Sequence, residues 1–452
     1  TTNTAQNNTA LGISALNDIT TGDNNTAIGI QAGQKITTQE RNTIMGVSAL
    51  RYASGSASYN TAIGFAAMGA SDQESTQAVA IGYYALSGAT STVGTVAVGH
   101  LAARDLTTGD HNVAIGKSAM LANTTSNYSI AIGTEAMGSL DGAGNSTAIG
   151  YLSMYAHNGD NNVAVGNYSL RTGSNAYNVA VGVSAMTKVS GGAGGVAVGF
   201  QSGYHPTGNY NTWVGYNAGF GTAGSSADSN VGVGRESLMN IAGGTNNVAV
   251  GYQSGKTLTN GTGSTFLGYE AGYSVTTGND NVFVGNQAGK NTTGQYHVMV
   301  GKGAGSANTT SEGNIFIGNN AAVTNTSGHN HVVIGFQAMY SNQTSHMNTI
   351  IGYNAAQNLT AGENTIIGKD AGFNATTAER NVFIGVNAMK QANNSDDNVV
   401  IGHNALHANA GNYNVVIGKD AAQGATTMDA STVIGRQAMG GGVPTGDYNT
   451  AI

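Results

Sequence analysis

The chain of 452 residues contains no cysteine, two prolines and one tryptophan. The absence of cysteine excludes disulfide bonds and thiolate metal sites. Charged residues make up only 9% of the chain, against about a quarter in average proteins, so Asn, Ser, Thr and Gly must supply most of the polar surface. The net charge of −7, without any basic stripe, argues against nucleic acid as a partner.

Long apolar runs are also missing, because no stretch reaches the roughly 18 residues from which a transmembrane helix is recognised. We therefore expect no membrane insertion within this segment. The chain begins at Thr1 rather than Met and ends at Ile452 inside a repeat, so we expect it to be a slice of a longer polypeptide. No shift in composition interrupts it, which predicts a single continuous repeat array over residues 1–452.

A short phrase, Asn-x-Ala-Ile-Gly-x-x-Ala-Leu or a close variant, is repeated 26 times along the chain. Its glycine recurs at positions 12, 29, 46, 64 and so on to 435, and most spacings are 17 residues. The phrase reads Asn25-Thr26-Ala27-Ile28-Gly29 early in the chain and Asn381-Val382-Phe383-Ile384-Gly385 near its end. A fixed period of this kind indicates a repeat architecture in which each unit is stabilised by stacking on its neighbours.

Positions in each repeat are numbered here from its glycine, which is position 0. Position −1 is always aliphatic and position −3 is always Thr, Val or Ile. These types favour strands, and the 69 glycines disfavour helix. Because side chains alternate in a strand, positions −3 and −1 share one face, which we expect to face the core. The pattern predicts an all-β, parallel β-solenoid (β-roll) of about 26 coils of about 17 residues.

Three columns of equivalent residues are expected to stack from coil to coil. The glycine ends each strand and permits positive φ or close approach of backbones, and Asn at position −4 can hydrogen-bond to the Asn above it. The alternative for the Asn is a bond to its own backbone. Representative members of the columns are Gly29, Gly116, Gly285 and Gly385; Ile28, Ile115, Val284 and Ile384; and Asn25, Asn112, Asn281 and Asn381.

Position −2 changes character along the chain. It is Ala in 12 of the first 15 repeats and a large apolar residue in each of the last 11. A row of exposed apolar residues is rare on soluble monomers, so one hypothesis is that this face packs against further copies in a trimer. The alternative is a second layer within the same chain. The candidate trimer-interface residues are Phe266, Phe283, Met299, Phe316, Ile350, Ile366 and Phe383.

Two further groups of residues are candidates for binding. Aromatic residues at position +1 suit contacts with a sugar or a surface, and equally suit packing of the turn over the coil; they include Tyr83, Tyr151, Tyr216, Tyr252, Tyr269 and Tyr353. His329 and His331 could offer two imidazoles to a metal ion. However, His331 occupies the position of the usual Asn, which favours a structural role. We therefore expect no metal, no cofactor and no catalytic residue.

The motif Asn-x-Ala-Ile/Val-Gly-x-x-Ala resembles the YadA-type head repeats of trimeric autotransporter adhesins and the repeat regions of bacteriophage tail fibres. The resemblance covers essentially the whole chain. It implies a left-handed parallel β-roll in which three chains form a tight homotrimer. The chain departs from the adhesin pattern, because its coils are longer and no neck, coiled-coil stalk or membrane anchor is visible.

Together these observations predict a structural or adhesive fibre shaft that is extracellular, on a cell surface or a virion, and that mediates attachment to a surface receptor or glycan. We expect it not to be an enzyme. One alternative is an ice-binding solenoid, which would need a Thr-x-Thr grid, whereas the threonines at position −3 are expected to point inward. Another is a glycan-processing fibre enzyme, which would show irregular coils with clustered Asp, Arg or His side chains.

Overall fold

The structure is a computed structural model that describes residues 3–139, 142–188, 191–205, 207–391, 393–408, 411–440 and 446–452. Both prolines, Pro206 and Pro444, lie outside the described residues. The chain is an all-β parallel β-solenoid of about 25 turns with a spacing of about 17 residues, and the described residues contain no helix. It comprises two compact units, Thr1–Ala227 and Asp228–Ile452.

Strands are short, usually three residues, and each coil contributes one strand to the main sheet. Those of the first unit are β1 (Thr9–Leu11), β2 (Thr26–Ile28), β3 (Thr43–Met45), β4 (Thr61–Ile63), β5 (Val79–Ile81), β6 (Val96–Val98), β7 (Val113–Ile115), β8 (Ile130–Ile132), β9 (Thr147–Ile149), β10 (Ala156–His157), β11 (Val163–Val165), β12 (Thr172–Gly173), β13 (Val179–Val181), β14 (Val196–Val198) and β15 (Thr212–Val214). The two-residue strands β10 and β12 pair with each other in a separate small sheet.

The second unit continues the same pattern of one strand per coil. Its strands are β16 (Val231–Val233), β17 (Val248–Val250), β18 (Thr265–Leu267), β19 (Val282–Val284), β20 (Val298–Val300), β21 (Ile315–Ile317), β22 (Val332–Ile334), β23 (Thr349–Ile351), β24 (Thr365–Ile367), β25 (Val382–Ile384), β26 (Val399–Ile401), β27 (Val415–Ile417), β28 (Thr432–Ile434) and β29 (Thr450–Ala451).

Within each unit, the strand of one coil pairs in parallel with the strand of the next, in register. Ala27 lies beside Ile44 between β2 and β3, and Phe283 lies beside Met299 between β19 and β20. The backbone hydrogen bonds extend past the strand on both sides. They begin at position −5, where Asn24 N donates to the oxygen of Gln6, and continue to position +2. The sheet is therefore wider than the three residues that define each strand.

The interior of each coil is filled by positions −2, +3, +4 and +7. In the coil of Gly116, for example, Ala114, Ala119 and Met120 are fully buried, whereas Ile115 at position −1 is 38% exposed. The expectation that positions −3 and −1 face the core was therefore wrong. The chain folds back over the other face of the strand, because positions +2 and +4 adopt left-handed backbone conformations, as Ser118 and Met120 do.

The prediction that position −2 forms a trimer interface was also wrong. All seven candidates have no exposed surface within their own chain, namely Phe266, Phe283, Met299, Phe316, Ile350, Ile366 and Phe383. Where position −2 is large, position +4 is often glycine: a Cβ on Gly289 would lie 2.6 Å from Cε2 of Phe283. Where position −2 is Ala114, position +4 is Met120. In these coils, volume is exchanged between positions −2 and +4 across one core.

The glycines at position 0 have both the positive φ and the close approach of backbones that were expected from the sequence. Gly285 has φ +134°, in a region that is strained for any residue with a side chain. A Cβ at Gly29, Gly116 or Gly385 would lie 2.6 Å from the carbonyl oxygen of the next glycine in the column. Backbone, rather than a movable side chain, occupies the space that an alanine would need.

Candidate functional surface

Side chains at positions −3 and −1 form what we call the outer face. Ile115 is 38% exposed, Met45 and Leu267 are each 46% exposed, and Ile28, Val284 and Ile384 are half-buried. A parallel sheet normally has both faces covered, but here the chain covers only the inner one. An aliphatic column that runs along each unit and meets solvent is the kind of patch that marks a site of interaction.

The area of the outer face is sufficient for a stable interface. A fully buried Val or Ile contributes about 1.5–3 kcal/mol at roughly 25 cal/mol per Å², which corresponds to about 60–120 Å² of apolar surface. If each of roughly two dozen partly exposed residues contributes about 30 Å², the outer face of one unit presents on the order of 700–800 Å² of apolar surface. A standard protein interface buries about 800 Å² on each partner.

The threonines at position −3, which bear on the ice-binding alternative, do not point inward as expected. Thr26, Thr43 and Thr61 lie on the outer face and are at least partly exposed. Position −1 never carries threonine, so these residues do not form the Thr-x-Thr rows that such a surface requires.

The Asn column at position −4 joins each coil to the next. Oδ1 of Asn381 accepts from the backbone N–H of Asn398 at 2.9 Å and from its Nδ2 at 3.2 Å. Nδ2 of Asn381 donates to Ser395 O in the next coil at 2.8 Å and to Glu379 O in its own coil at 2.9 Å. Both the coil-to-coil bonds and the local bond are thus present.

Other members of the column make equivalent bonds. Oδ1 of Asn25 accepts from Asn42, Oδ1 of Asn112 from Ser129 N, and Oδ1 of Asn281 from His297 N. Each side chain supplies one acceptor for the next coil's N–H and one donor for a carbonyl oxygen. An amide meets both requirements with a single short side chain.

We expect Asn381→Ala to lower the free energy of unfolding by about 2–3 kcal/mol, because it leaves a buried N–H and a buried carbonyl oxygen unpaired. Urea unfolding followed by circular dichroism would measure the change. Asn374→Ala is the matched control, because Asn374 is only half-buried and accepts one bond, from Asn358. Equal losses for the two variants would contradict a special role for the column.

His297 and His331 take the place of Asn in this column. Nδ1 of His331 accepts from Asn348 N at 3.1 Å, and Nε2 contacts Ser345 O at 2.7 Å. Both nitrogens of His331 are therefore occupied, while the half-buried His329 stacks on His346 with ring centroids 3.8 Å apart. The structure does not bring His329 and His331 together as a pair of metal ligands.

Burial lowers the pKa of both His297 and His331 to about 4. A histidine whose folded pKa lies below its unfolded value of about 6.5 stabilises the fold above pH 6.5 and loses that contribution as the pH falls towards 4. We expect each of the two histidines to lower the free energy of unfolding by about 2–3 kcal/mol when the pH falls from 7.5 to 4.5. Urea unfolding at the two pH values would measure the loss.

Replacement by the usual residue, in the double variant His297→Asn and His331→Asn, should remove most of this acid sensitivity. His403→Asn is the control, because His403 is exposed at position +1. If the double variant lost as much stability on acidification as the parent chain, the role assigned to these two imidazoles would be wrong.

The aromatic residues at position +1 stack on one another along the column. The ring of Tyr83 lies between Phe65 and His100, with centroids 5.5 Å and 5.2 Å away. Tyr252 stacks on Tyr269 at 5.1 Å. Phe200 with Tyr216 and Phe336 with Tyr353 form equivalent pairs, and Tyr151 meets Tyr168 edge-on. Tyr83 has a ring on each of its faces, and in the pairs each ring covers one face of its neighbour, so the geometry favours packing between coils.

Sequence reasoning missed a second column of coil-to-coil bonds, at position −6. Oδ1 of Asp396 accepts from Glu379 N at 2.9 Å, and Oδ1 of Asp110 accepts from Val93 N at 2.8 Å. The recurrence of Asp and Asn two residues before the Asn column was the signal that could have revealed it.

Position −5 was missed as well, although it carries the most exposed aromatic residues of the described chain. Tyr177, Tyr210 and Tyr413 are 68%, 71% and 66% exposed, and each has positive φ. They stand at the corner where the chain enters the strand, beside the outer face.

Among the residues that the structure describes, no group of three or more His, Cys, Asp or Glu side chains is arranged to hold a metal ion. The same residues include no helix long and apolar enough to cross a membrane. The sequence matches no protein-family model, and it matches no curated protein.

Proposed function

We propose that the chain is the shaft of an extracellular fibre, a left-handed homotrimeric β-solenoid carried on a cell surface or a virion, which mediates attachment to a receptor or glycan. The observation that carries the proposal is the outer face, an aliphatic column on a parallel sheet that the chain itself leaves uncovered. Its role is mechanical and adhesive, and it involves no catalysis.

A second copy of the chain is the partner that this surface suits best. The outer face repeats the same residue types at the spacing of the coils, so an identical column on another copy matches it coil for coil. Each coil also has a thin core, because positions −2 and +3 are often alanine. Small cores gain proportionally more from burial against a partner.

Mass in solution tests the proposal. Light scattering or sedimentation should give three times the chain mass of 45.4 kDa. We expect the double variant Ile81→Asp and Ile115→Asp to give a folded single chain, because it places charges in the middle of the outer face. The control is Ser91→Asp with Thr125→Asp, which adds the same charges to exposed turns of the same two coils.

Two results would overturn self-association through the outer face. One is a parent chain that has the mass of a single copy. The other is an assembly whose mass is the same for the Ile81 and Ile115 variant as for the control.

A further inference from the structure

The regular stacking of the first unit is interrupted by two consecutive long coils. Only three spacings between successive glycines of position 0 exceed 17 residues, and two of them are adjacent, from Gly46 to Gly64 and from Gly64 to Gly82. In both coils the extra residue falls in the turn between position +4 and the next strand. Insertions of this kind in a solenoid lie on one face, which is often the binding face.

The extra residues break the ladder of backbone hydrogen bonds at one point. In regular coils the N–H at position +8 donates to the carbonyl oxygen at position +8 of the next coil, as Thr90 N does to Thr107 O at 3.0 Å. The equivalent N–H of Thr37 donates instead to Oε1 of Gln39 at 2.8 Å, and Nε2 of Gln39 donates to Gly55 O at 3.3 Å. The side chain of Gln39 therefore joins two coils where backbone normally does so.

Two glutamines lie in the core at this break. Gln39, at position −7, is 4% exposed, whereas 23 of the 26 repeats carry Gly, Ala, Ser or Thr at that position. Gln73 pairs with the buried Ala53 of the preceding coil and is fully buried, yet neither its Oε1 nor its Nε2 has a hydrogen-bond partner among the described residues. An unpaired buried amide is unfavourable for folding, and departures of this kind are typical of functional sites.

A cavity of about 430 Å³ opens at the break. Its volume lies within the range of about 300–1,000 Å³ that is usual for small-molecule sites. It is lined by residues of three coils, and Gly55, Ser71 and Asp72 at its rim are exposed. The polar residues that line it are Lys35, Thr37, Gln39, Ser54, Ser71 and Asp72.

This lining suits a ligand rich in hydroxyl groups. Thr37, Ser54 and Ser71 each offer an O–H donor and an acceptor, and Asp72 offers a carboxylate acceptor. Tyr52 also lines the cavity and supplies an amphipathic ring. The guanidinium of Arg51 lies over one face of this ring at 4.8 Å, so the opposite face is the one on which the C–H groups of a sugar ring would pack.

The charges around the cavity disfavour an anionic ligand. Lys35 is the one cation among the lining residues, and its Nζ is paired with Oδ2 of Asp18 at 2.8 Å. Asp72 and Glu74 form no ion pair among the described residues, and a Cβ on Gly55 would lie 2.6 Å from Oε1 of Glu74. Unpaired carboxylates repel an anion, but they accept hydrogen bonds from neutral hydroxyl groups.

We propose that this cavity binds a neutral sugar residue of a receptor glycan, with sugar hydroxyl groups held by Asp72 and its C–H face packed on Tyr52. The inference rests on the proposed role in attachment, for which it names a ligand class and a site. None of the lining positions belongs to the outer face, so the site is formed by residues of one chain.

Saturation-transfer NMR of the full chain with methyl glycosides tests the site. The neutral probes are the methyl glycosides of glucose, galactose, mannose and N-acetylglucosamine, and the acidic probe is the methyl glycoside of glucuronic acid. At least one neutral probe should bind with a millimolar Kd. The acidic probe should bind at least about tenfold more weakly, because its carboxylate meets those of the site.

Two variants assign the binding to this cavity. Asp72→Asn should weaken binding about tenfold, because it removes the charged acceptor and keeps a residue that tolerates the φ of +60° found there. Tyr52→Ala should weaken binding by a similar factor through loss of the ring. Tyr340→Ala is the control, because Tyr340 is also half-buried but does not line the cavity.

Three results would overturn the inference. They are no binding of any neutral probe, unchanged binding in either cavity variant, and equal binding of the acidic probe. An assembled particle that binds no neutral probe would overturn the site alone and leave the fibre shaft standing. A single chain that binds a neutral probe through Asp72 and Tyr52 would overturn self-association and leave the site standing.

Discussion

Gly285→Ala is expected to lower the free energy of unfolding by about 3–5 kcal/mol, the largest effect that a single methyl group should have in this chain. Gly285 has φ +134°, and a Cβ there would lie 2.7 Å from both the carbonyl carbon and the oxygen of Gly301. The obstructing atoms belong to the backbone of the next coil, so they can move only if the coils separate. Urea unfolding followed by circular dichroism would measure the loss.

Gly446→Ala is the matched control for this substitution. Gly446 has φ +137°, almost the value of Gly285, but no atom lies within 4 Å of the position of its Cβ. The variant Gly446→Ala should lose only the contribution of conformational strain, about 1–2 kcal/mol of the free energy of unfolding. The difference between the two variants isolates the contact between coils, and equal losses would contradict the close stacking of the glycines.

Phe283→Ala should lower the free energy of unfolding by about 3–5 kcal/mol, because it empties a fully buried site in the core. The ring of Phe283 packs against Phe266, with centroids 5.6 Å apart. The number of chains in each particle should not change, since this residue contacts only its own chain. Dissociation of folded chains would instead restore the original hypothesis that position −2 is the interface.

A second substitution should rescue this variant. In the coil of Gly116, Ala114 at position −2 is accompanied by Met120 at position +4, with φ +51°. Gly289 occupies position +4 beside Phe283 with φ +56°, so methionine fits the backbone there. Gly289→Met alone should overpack the core and cost about 1–3 kcal/mol. Combined with Phe283→Ala, Gly289→Met should restore about half of the stability that Phe283→Ala loses. If the stability losses of the two single variants simply added in the double variant, the exchange of volume would be contradicted.

The solenoid could be predicted from the sequence because the residues that repeat in every coil each have one physical role. Only glycine satisfies both the positive φ and the backbone contact at position 0, and Asn25 and Asn381 supply the donor and acceptor that neighbouring coils need. Such residues leave little freedom, so the coil length, the strand position and the parallel stacking could all be predicted.

Which face of the strand points inward could not be predicted from alternation, because alternation shows only which residues share a face. Ile115 is larger and more apolar than Ala114, and the usual preference for large residues inside gave the wrong answer. In several coils, information on the inward face lay across the core, in the reciprocal sizes of positions −2 and +4. Phe283 with Gly289, and Ala114 with Met120, become informative only when they are compared as pairs.

The binding candidates show a similar limit. The sequence places Tyr83 and Tyr252 in one column, but only the ring geometry shows that aromatic residues of neighbouring coils stack on them. His331 was recognised as a replacement for Asn, although the hydrogen bonds that occupy its two ring nitrogens depend on Ser345 and Asn348 in the next coil.

The central claim, that a second copy covers the outer face, is tested most directly by thiol reactivity at three positions of one coil. Introduced one at a time, Lys117→Cys is an exposed reference, Met120→Cys is a buried reference and Ile115→Cys reports the outer face. In a chain on its own, a thiol at position 115 should react at a rate close to that at 117. In the native protein we expect the thiol at 115 to react as slowly as the thiol at 120, and a reaction as fast as at 117 would contradict coverage of the outer face.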